Sequence, residues 1–382
     1  MRHLRSFVVV AALAGTVGLA LANIATAQNV RIGAVYPLTG GVSYDGITKL
    51  NGAKLAVDEI NAKGGVLGRP LELLSEDGAC NPAQSVASAE KLITQSKVVA
   101  LLGAICSSAT GAMGETIKKY RIPLVTGVST AERLTEQGNP YFFRATTTTT
   151  LNGKSMGETL MKLANGKRIA FIVTSDDWGR SAAQSYGDSF KARGAEVVAT
   201  EYFDRNDTDF AALLTKIRAS RPDAIVSTGG FQNAANVTRQ ARQMGLQQVI
   251  IGEGAFTSEA YNKLVDPFTD NVFGIIEWVS AIDSAQNRKF IEDYKAKFKE
   301  VPTKFSVGGY QTVYILAQAI QRAGSTDGDK IRDALKNTSY DGLTGNYRFD
   351  EKGQAYNFNM YIVANVNKGQ NEVREVVKIP KQ

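Results

Sequence analysis

Histidine is almost missing from this chain, and the one that occurs, His3, stands at its very start. Beyond position 3 there is no imidazole, so there is no neutral-pH general base, no Ser/His or Cys/His nucleophile pair and no histidine metal ligand. Most hydrolase mechanisms fall away with it. Carboxylate-only catalysis of the glycosidase kind stays formally open, although no Asp or Glu pair stands out. Cysteine is scarce too, with Cys80 and Cys106 the only two. No run of Lys or Arg with interleaved aromatics occurs, which makes nucleic acid and anionic membrane poor partners. After the first 27 residues no segment is apolar enough to span a bilayer.

Those first 27 residues read as a secretory signal. Arg2, His3 and Arg5 form a basic start, residues 7–22 an apolar run rich in small side chains, and Ala25-Thr26-Ala27 a small-x-small cleavage site. Cleavage is expected after Ala27, and no Cys nearby offers a lipid attachment point. Of the 44 basic residues, Arg2 and Arg5 leave with the signal, so 42 face 37 acidic ones over 355 residues, a net charge of +5. That charge is mild and dispersed, and the length exceeds one ordinary core, so two lobes are expected. In an oxidising compartment the two cysteines, each just past a predicted strand (69–76 and 98–104), are expected to meet through neighbouring parallel strands as a disulfide. Two buried free thiols are the alternative.

What the chain does have is a repeated alternation of strand and helix. Residues 30–36 form an apolar strand, 46–62 a helix closed by Gly64-Gly65, and 69–76 a strand. A helix then opens at Asn81-Pro82, followed by strand 98–104, helix 109–119 and strand 122–126. After Phe142-Phe143-Arg144 and a threonine run, 146–150, the pattern restarts with strand 168–174, helix 178–193, strand 196–203, helix 209–219, strand 224–228, helix 231–244 and strand 249–252. The fold class is therefore α/β, with two doubly wound Rossmann-like lobes joined by a hinge. The threonine run is expected to be an extended crossover between lobes, because β-branched residues favour extended backbone and no Gly/Pro cluster accompanies them.

In such sheets ligands sit beyond the carboxyl ends of the strands. The segment VVALLGAICSSATGAMGETIKKY, residues 98–120, carries that geometry most clearly: an apolar strand ends in Ser107 and Ser108 just as a helix begins. Hydroxyls and unpaired backbone N–H groups at a helix amino end bind a carboxylate or phosphate; the alternative is that these serines only cap their own helix. Other strand-end segments are 37–45, 127–130, 175–178, 229–231 and 253–254, a set of hydroxyls, one carboxylate and several aromatics that suits a small acid or zwitterion. Competing motifs fail. Asn152-Gly153-Lys154-Ser155 has Thr148 where a phosphate loop needs its first glycine, and Gly252-Glu253-Gly254 has Thr257 where a dinucleotide fingerprint needs its third. The segment 204–209 lacks the central Gly and terminal Glu of a calcium loop, and Ser88/Lys91 lie mid-helix without β-lactamase partners.

The strings VRIGAVYPLTGGVSYDG, GAKLAVDEINAKGGVLGRPLELLSEDGACNP, LLGAICSSATGA, GVSTAERLTEQGNPYFFR and RQARQMGL together resemble the periplasmic leucine/isoleucine/valine-binding protein family, the substrate receptors of branched-chain amino-acid ABC transporters. The resemblance runs from about Val30 onward and is strongest in the first lobe. It implies a type I periplasmic binding fold, here divided as 28–147 plus 280–350 for lobe 1 and 148–279 plus 351–382 for lobe 2. Ser107 and Thr130 match the positions that hold a ligand carboxylate. Val128 matches the carbonyl that receives the ammonium group, and Glu253 the acid that pairs with it. Trp178 and Phe231 match the aromatics that close over the ligand, with Tyr44 and Ser108 completing the set, and Cys80 with Cys106 matches the family disulfide. Asp45 stands where the family often carries an aromatic, with Tyr44 one residue early, so either the side-chain pocket is more polar or the loop is shifted.

The resemblance thus implies a monomeric periplasmic receptor that binds a neutral amino acid and delivers it to a membrane permease, with no cofactor, no metal and no catalysis. Glu253 matches only if one residue of Gly-Glu-Gly is deleted. Without that match the alternative ligand is an aromatic or α-keto acid, and a sensory amide or urea receptor is a further alternative.

Overall fold

The computed structural model describes residues 28–164, 166–257, 259–366 and 370–381. The expected signal segment and its cleavage site at Ala27 lie outside these residues. Among the described residues no helix is long and apolar enough to cross a membrane.

Five short strands, β1 (Val30–Tyr36), β2 (Leu71–Asp77), β3 (Ala100–Leu102), β4 (Leu124–Thr126) and β5 (Phe142–Arg144), form a parallel sheet in the order β2-β1-β3-β4-β5. Helices cover both faces, which is why β1, β3 and β4 read as nearly continuous apolar runs and are buried along their length. The plan then repeats. Strands β6 (Arg168–Thr174), β7 (Glu196–Phe203), β8 (Ala224–Ser227), β9 (Val249–Glu253) and β10 (Val272–Ile276) lie parallel in the order β7-β6-β8-β9-β10. Counted from its own first strand, the second sheet has the same order as the first.

Beyond β10 the second sheet continues antiparallel through β13 (Ala355–Val366), which pairs with β12 (Gly345–Phe349) and β14 (Gln370–Ile379), while β11 (Tyr340–Gly342) pairs with β12. Residues 340–349 therefore belong to the second sheet, whereas the expected division placed everything to 350 in lobe 1. The reason is local. Only the tight turn 350–354 separates β12 from β13, and strands so connected pair with each other. The helices Ala285–Phe298, Lys304–Ala323 and Gly328–Lys336 do return to the first lobe. Lys304–Ala323 crosses the helix Ser43–Ala62 so closely that a Cβ on Gly52 or Gly309 would strike the backbone of the other helix.

Three local expectations change. The threonine run is extended only to Thr148, whose hydroxyl caps a helix, Thr149–Leu163, by accepting from the Leu151 amide at 3.1 Å. Capping by a threonine outweighs the extended preference of Thr149 and Thr150. The expected helix 109–119 is two, Ser107–Ala112 and Gly114–Tyr120, so Ser107 is the first helical residue. Cys80 and Cys106 are bonded, with Cα atoms 5.4 Å apart, but β1 lies between β2 and β3, so the bridge spans the end of β1 instead of joining neighbouring strands.

Two side chains, one buried and one partly buried, tie the lobes where the chain passes between them. The Arg144 guanidinium donates to Gln354 Oε1 (2.5 Å), the Ala131 carbonyl (2.7 Å) and Thr135 Oγ1 (2.6 Å), and its burial lowers its pKa to about 10. Glu277, just past β10, accepts from Thr146 Oγ1 at 2.8 Å and pairs with Lys304 at 3.3 Å.

Candidate functional site

The carboxyl ends of both parallel sheets face one cleft, and its lining comes from the segments that follow the strands. The first lobe contributes Val42 and Asp45 after β1, Ile105 after β3 and Val128 after β4. The second contributes Trp178 after β6, Arg205 after β7, Gly229 and Gly230 after β8, and Glu253 to Ala255 at the end of β9. Lys304 and Phe305 enter from the amino end of the Lys304–Ala323 helix, which Thr303 and Ser306 start with a capping box. The disulfide pins the segments after β2 and β3 beside this rim, and Ser129 Oγ bonds the carbonyls of Ala104 (3.1 Å) and Ile105 (3.0 Å), tying together the segments after β3 and β4.

On the second-lobe wall the ionised groups arrive already partnered. Glu253 is buried, and its Oε1 accepts from the Trp178 indole N–H at 3.3 Å and from the Tyr186 hydroxyl. Burial raises its carboxyl pKa, an effect that the charge of Lys304 and the Tyr186 hydrogen bond reduce without cancelling. Arg205 pairs with Asp176 at 2.6 Å and stacks over the Trp178 ring at 5.2 Å. Although burial works against it, Asp176 is held below the usual aspartate range by Arg205, the Gly179 amide and Thr174. Burial likewise presses on the Lys304 ammonium, but Glu277 and Glu253 outweigh it and raise its pKa.

The first-lobe wall is different. Asp45 is 3% exposed, its carboxylate makes no hydrogen bond among the described residues, and burial pushes its pKa up to about 7 against the opposing charges of Lys304 and Arg205. Ser107 lies against the segment that carries Thr130. Ser107 Oγ accepts from the Ala131 amide at 3.2 Å, while Thr130 Oγ1 is buried with no partner among the described residues. Both residues are 2% exposed and neither lines the cleft directly.

Of the residues singled out in the sequence, Val128, Trp178 and Glu253 meet in the cleft. Tyr44 and Phe231 do not line it; their rings pack edge to face across the lobes, 5.1 Å between centroids. Ser108 is turned away, as the residue after Ser107 on a helix must be, and lines an outer depression with Cys80, Asn81 and Asp204. That depression lies between the lobes and shares Val42 and Arg205 with the cleft, so Ser108 stands beside its lining and not in it. Asp45 lines the cleft because the first helix begins at Ser43, a turn earlier than the expected 46, and this carries position 45 into its first turn. Arg205, Lys304 and Phe305 were not anticipated. Arg205 follows a recognised strand and was within reach of the strand-end rule. Lys304 and Phe305 follow no strand, and only the Thr-x-x-Ser start of their helix marks them. Among the described residues no group of three or more His, Cys, Asp or Glu is placed to hold a metal.

Two copies of one parallel plan facing each other across a cleft are the architecture of type I periplasmic binding proteins. The chain belongs to the periplasmic binding protein family, whose model matches residues 29–371. It is 27% identical to the leucine-, isoleucine-, valine-, threonine- and alanine-binding protein of Pseudomonas aeruginosa over 336 residues, 88% of this chain and 90% of that one. It is 28% identical to the Leu/Ile/Val-binding protein of Escherichia coli K12 over 351 residues, 91% and 94% of the two chains. A substrate-binding protein of a branched-chain amino acid transporter from Streptococcus pneumoniae, solved in complex with isoleucine, matches with a TM-score of 0.84 and 31% identity over 92% of this chain and 100% of the other.

Proposed function

We propose that this protein is the periplasmic solute-binding component of an ABC transporter, and that it binds a neutral α-amino acid between its lobes and passes it to a membrane permease. The observation that carries this reading is Glu253: a buried carboxylate on the cleft wall, oriented by Trp178 and Tyr186, whose lost hydration the charge of Lys304 offsets only in part, leaving a place for a second cation. The ligand's ammonium group supplies that cation, and the Val128 carbonyl completes its coordination from the opposite lobe. The ligand's carboxylate is assigned to Ser107 and Thr130, which lie outside the present lining and are reached only if the first-lobe wall shifts on binding; the Thr130 hydroxyl, without a partner among the described residues, is a donor waiting for an acceptor.

The protein works without breaking a bond. A ligand that touches both walls binds the closed arrangement better than the open one and shifts the population toward closure, with the Tyr44–Phe231 contact added as the lobes meet. The chain is exported by cleavage after Ala27 and acts as a monomer.

A thermal-shift screen of the mature chain against L-amino acids, their α-keto analogues and aromatic acids tests the reading. One or more neutral L-amino acids raise the melting temperature and their keto analogues do not. Stabilisation by keto or aromatic acids alone would remove Glu253 as an ammonium partner and with it the amino-acid assignment.

A further inference from the structure

The ionisable groups that line the cleft, or pair with those that do, are four carboxylates and two cations: Asp45, Asp176, Glu253 and Glu277 against Arg205 and Lys304. Asp176 holds Arg205 and Glu277 holds Lys304. Glu253 is oriented by two neutral donors and, on the reading above, takes the ligand's ammonium. That leaves Asp45. Its side chain has no hydrogen bond among the described residues, it is 3% exposed, and it lines the cleft. A methyl placed on Gly230 would stand 3.9 Å from its Oδ2, so the carboxylate faces the second lobe across the gap, on the first-lobe side opposite Glu253.

A buried carboxyl group without a partner is costly, and proteins retain such a group where a ligand satisfies it. Val42, Ile105 and Phe305 in the lining offer Asp45 no donor, and Lys304 and Arg205, engaged by Glu277 and Asp176, act on it through their charge without a hydrogen bond. We infer that Asp45 sets the specificity of the cleft, and that the ligand is an α-amino acid whose side chain ends in a hydrogen-bond donor, an amide, hydroxyl or ammonium, that reaches the Asp45 carboxylate. The inference rests on the amino-acid reading and narrows it. A purely aliphatic side chain would fill the same space while leaving Asp45 dehydrated and unpaired, and a site built around a polar group discriminates strongly against the isostere that lacks one.

Isothermal titration of the mature chain with two near-isosteric pairs, L-asparagine against L-leucine and L-threonine against L-valine, isolates the donor from size and shape. L-ornithine adds a charged donor, and 4-methyl-2-oxopentanoate is the ligand without an ammonium group. In the wild type the donor-bearing member of at least one pair binds about tenfold or more tightly than its aliphatic partner. Ornithine binding above asparagine assigns the donor as cationic. Asp45→Leu reverses the preference, and Asp45→Asn, which keeps the shape and guards against misfolding of the first variant, narrows it. Leucine and valine binding the wild type as tightly as their polar counterparts, or ratios unmoved by both substitutions, would overturn the role of Asp45 and leave the amino-acid reading standing. Binding of the keto acid with no binding of any amino acid would overturn that reading and this inference together.

Discussion

The two walls of the cleft are built from the same succession of strand ends, yet they treat their polar groups differently. On the second lobe each ionised group is partnered within the protein: Glu253 by Trp178 and Tyr186, and Arg205 by Asp176 and the indole face. On the first lobe the backbone is stapled, by the Cys80–Cys106 bridge and the Ser129 hydroxyl, but Thr130 Oγ1 and the Asp45 carboxylate make no hydrogen bond among the described residues. A preorganised wall holds its charges where they are needed at no reorganisation cost on binding. An unsatisfied wall gains most when a ligand arrives. On the proposed function, the second lobe orients the ligand and the first selects it.

The strongest way to break this contrast is to empty the preorganised wall. Glu253→Ala is expected to weaken amino-acid binding by about 30-fold to 1,000-fold, or about 2 to 4 kcal/mol, because it leaves the ligand's ammonium group buried without a counter-charge. Calorimetry on the folded variant reads this directly. The first-lobe staple is next. The two cysteines are 26 residues apart, so replacing both with alanine should cost about 3 kcal/mol of stability through the unfolded chain's greater freedom, seen as a lower urea midpoint.

The unsatisfied groups sharpen the contrast further. Thr130→Val should leave the ligand-free protein as stable as wild type, or slightly more so, since the hydroxyl is buried and has no partner among the described residues. Combined with Ser107→Ala, it should weaken binding by about 1 to 3 kcal/mol. A pair of variants that binds as tightly as wild type would remove the carboxylate site.

A further effect is one of pH. The Asp45 carboxyl has a pKa of about 7 in the folded chain, above its ordinary 3.8. Between those values the folded state keeps a proton that the unfolded state has released, so stability falls as pH rises from about 4 to about 7 and stays level above that. Asp45→Asn has no such loss. Its stability should exceed that of wild type by an amount that grows through this window and levels off above it, read as a widening gap between the two melting temperatures, a gain in stability at the expense of binding. A difference that is constant with pH would mean that Asp45 does not carry the buried charge.

The sequence disclosed more of the scaffold than of the site. Apolar runs such as 168–174 and 249–252 are legible because a parallel strand covered on both faces has to be hydrophobic throughout, and the restart of the pattern after the threonine run revealed two lobes. Trp178, Val128 and Glu253 were legible as strand-end residues. The position of Asp45 was not, because it depends on where the first helix begins, and a start at Ser43 or at 46 differs by a turn of helix that aims position 45 into the cleft or away from it. Lys304 was invisible for another reason. It reaches the cleft from a segment some 50 residues beyond β9, over a glycine, Gly254, that has no side chain to obstruct it.

Sequence alone determined that this chain is an α/β protein of two similar lobes, with no imidazole for catalysis after position 3, because hydrophobic periodicity and residue inventory are properties that folding does not alter. Tertiary structure decided which charges are neutralised within the protein and which are left for a ligand. Pairing depends on distance and burial, and residues as far apart in the chain as Asp45, Arg205, Glu253 and Lys304 become neighbours only once both sheets and the returning helix have been assembled around one cleft.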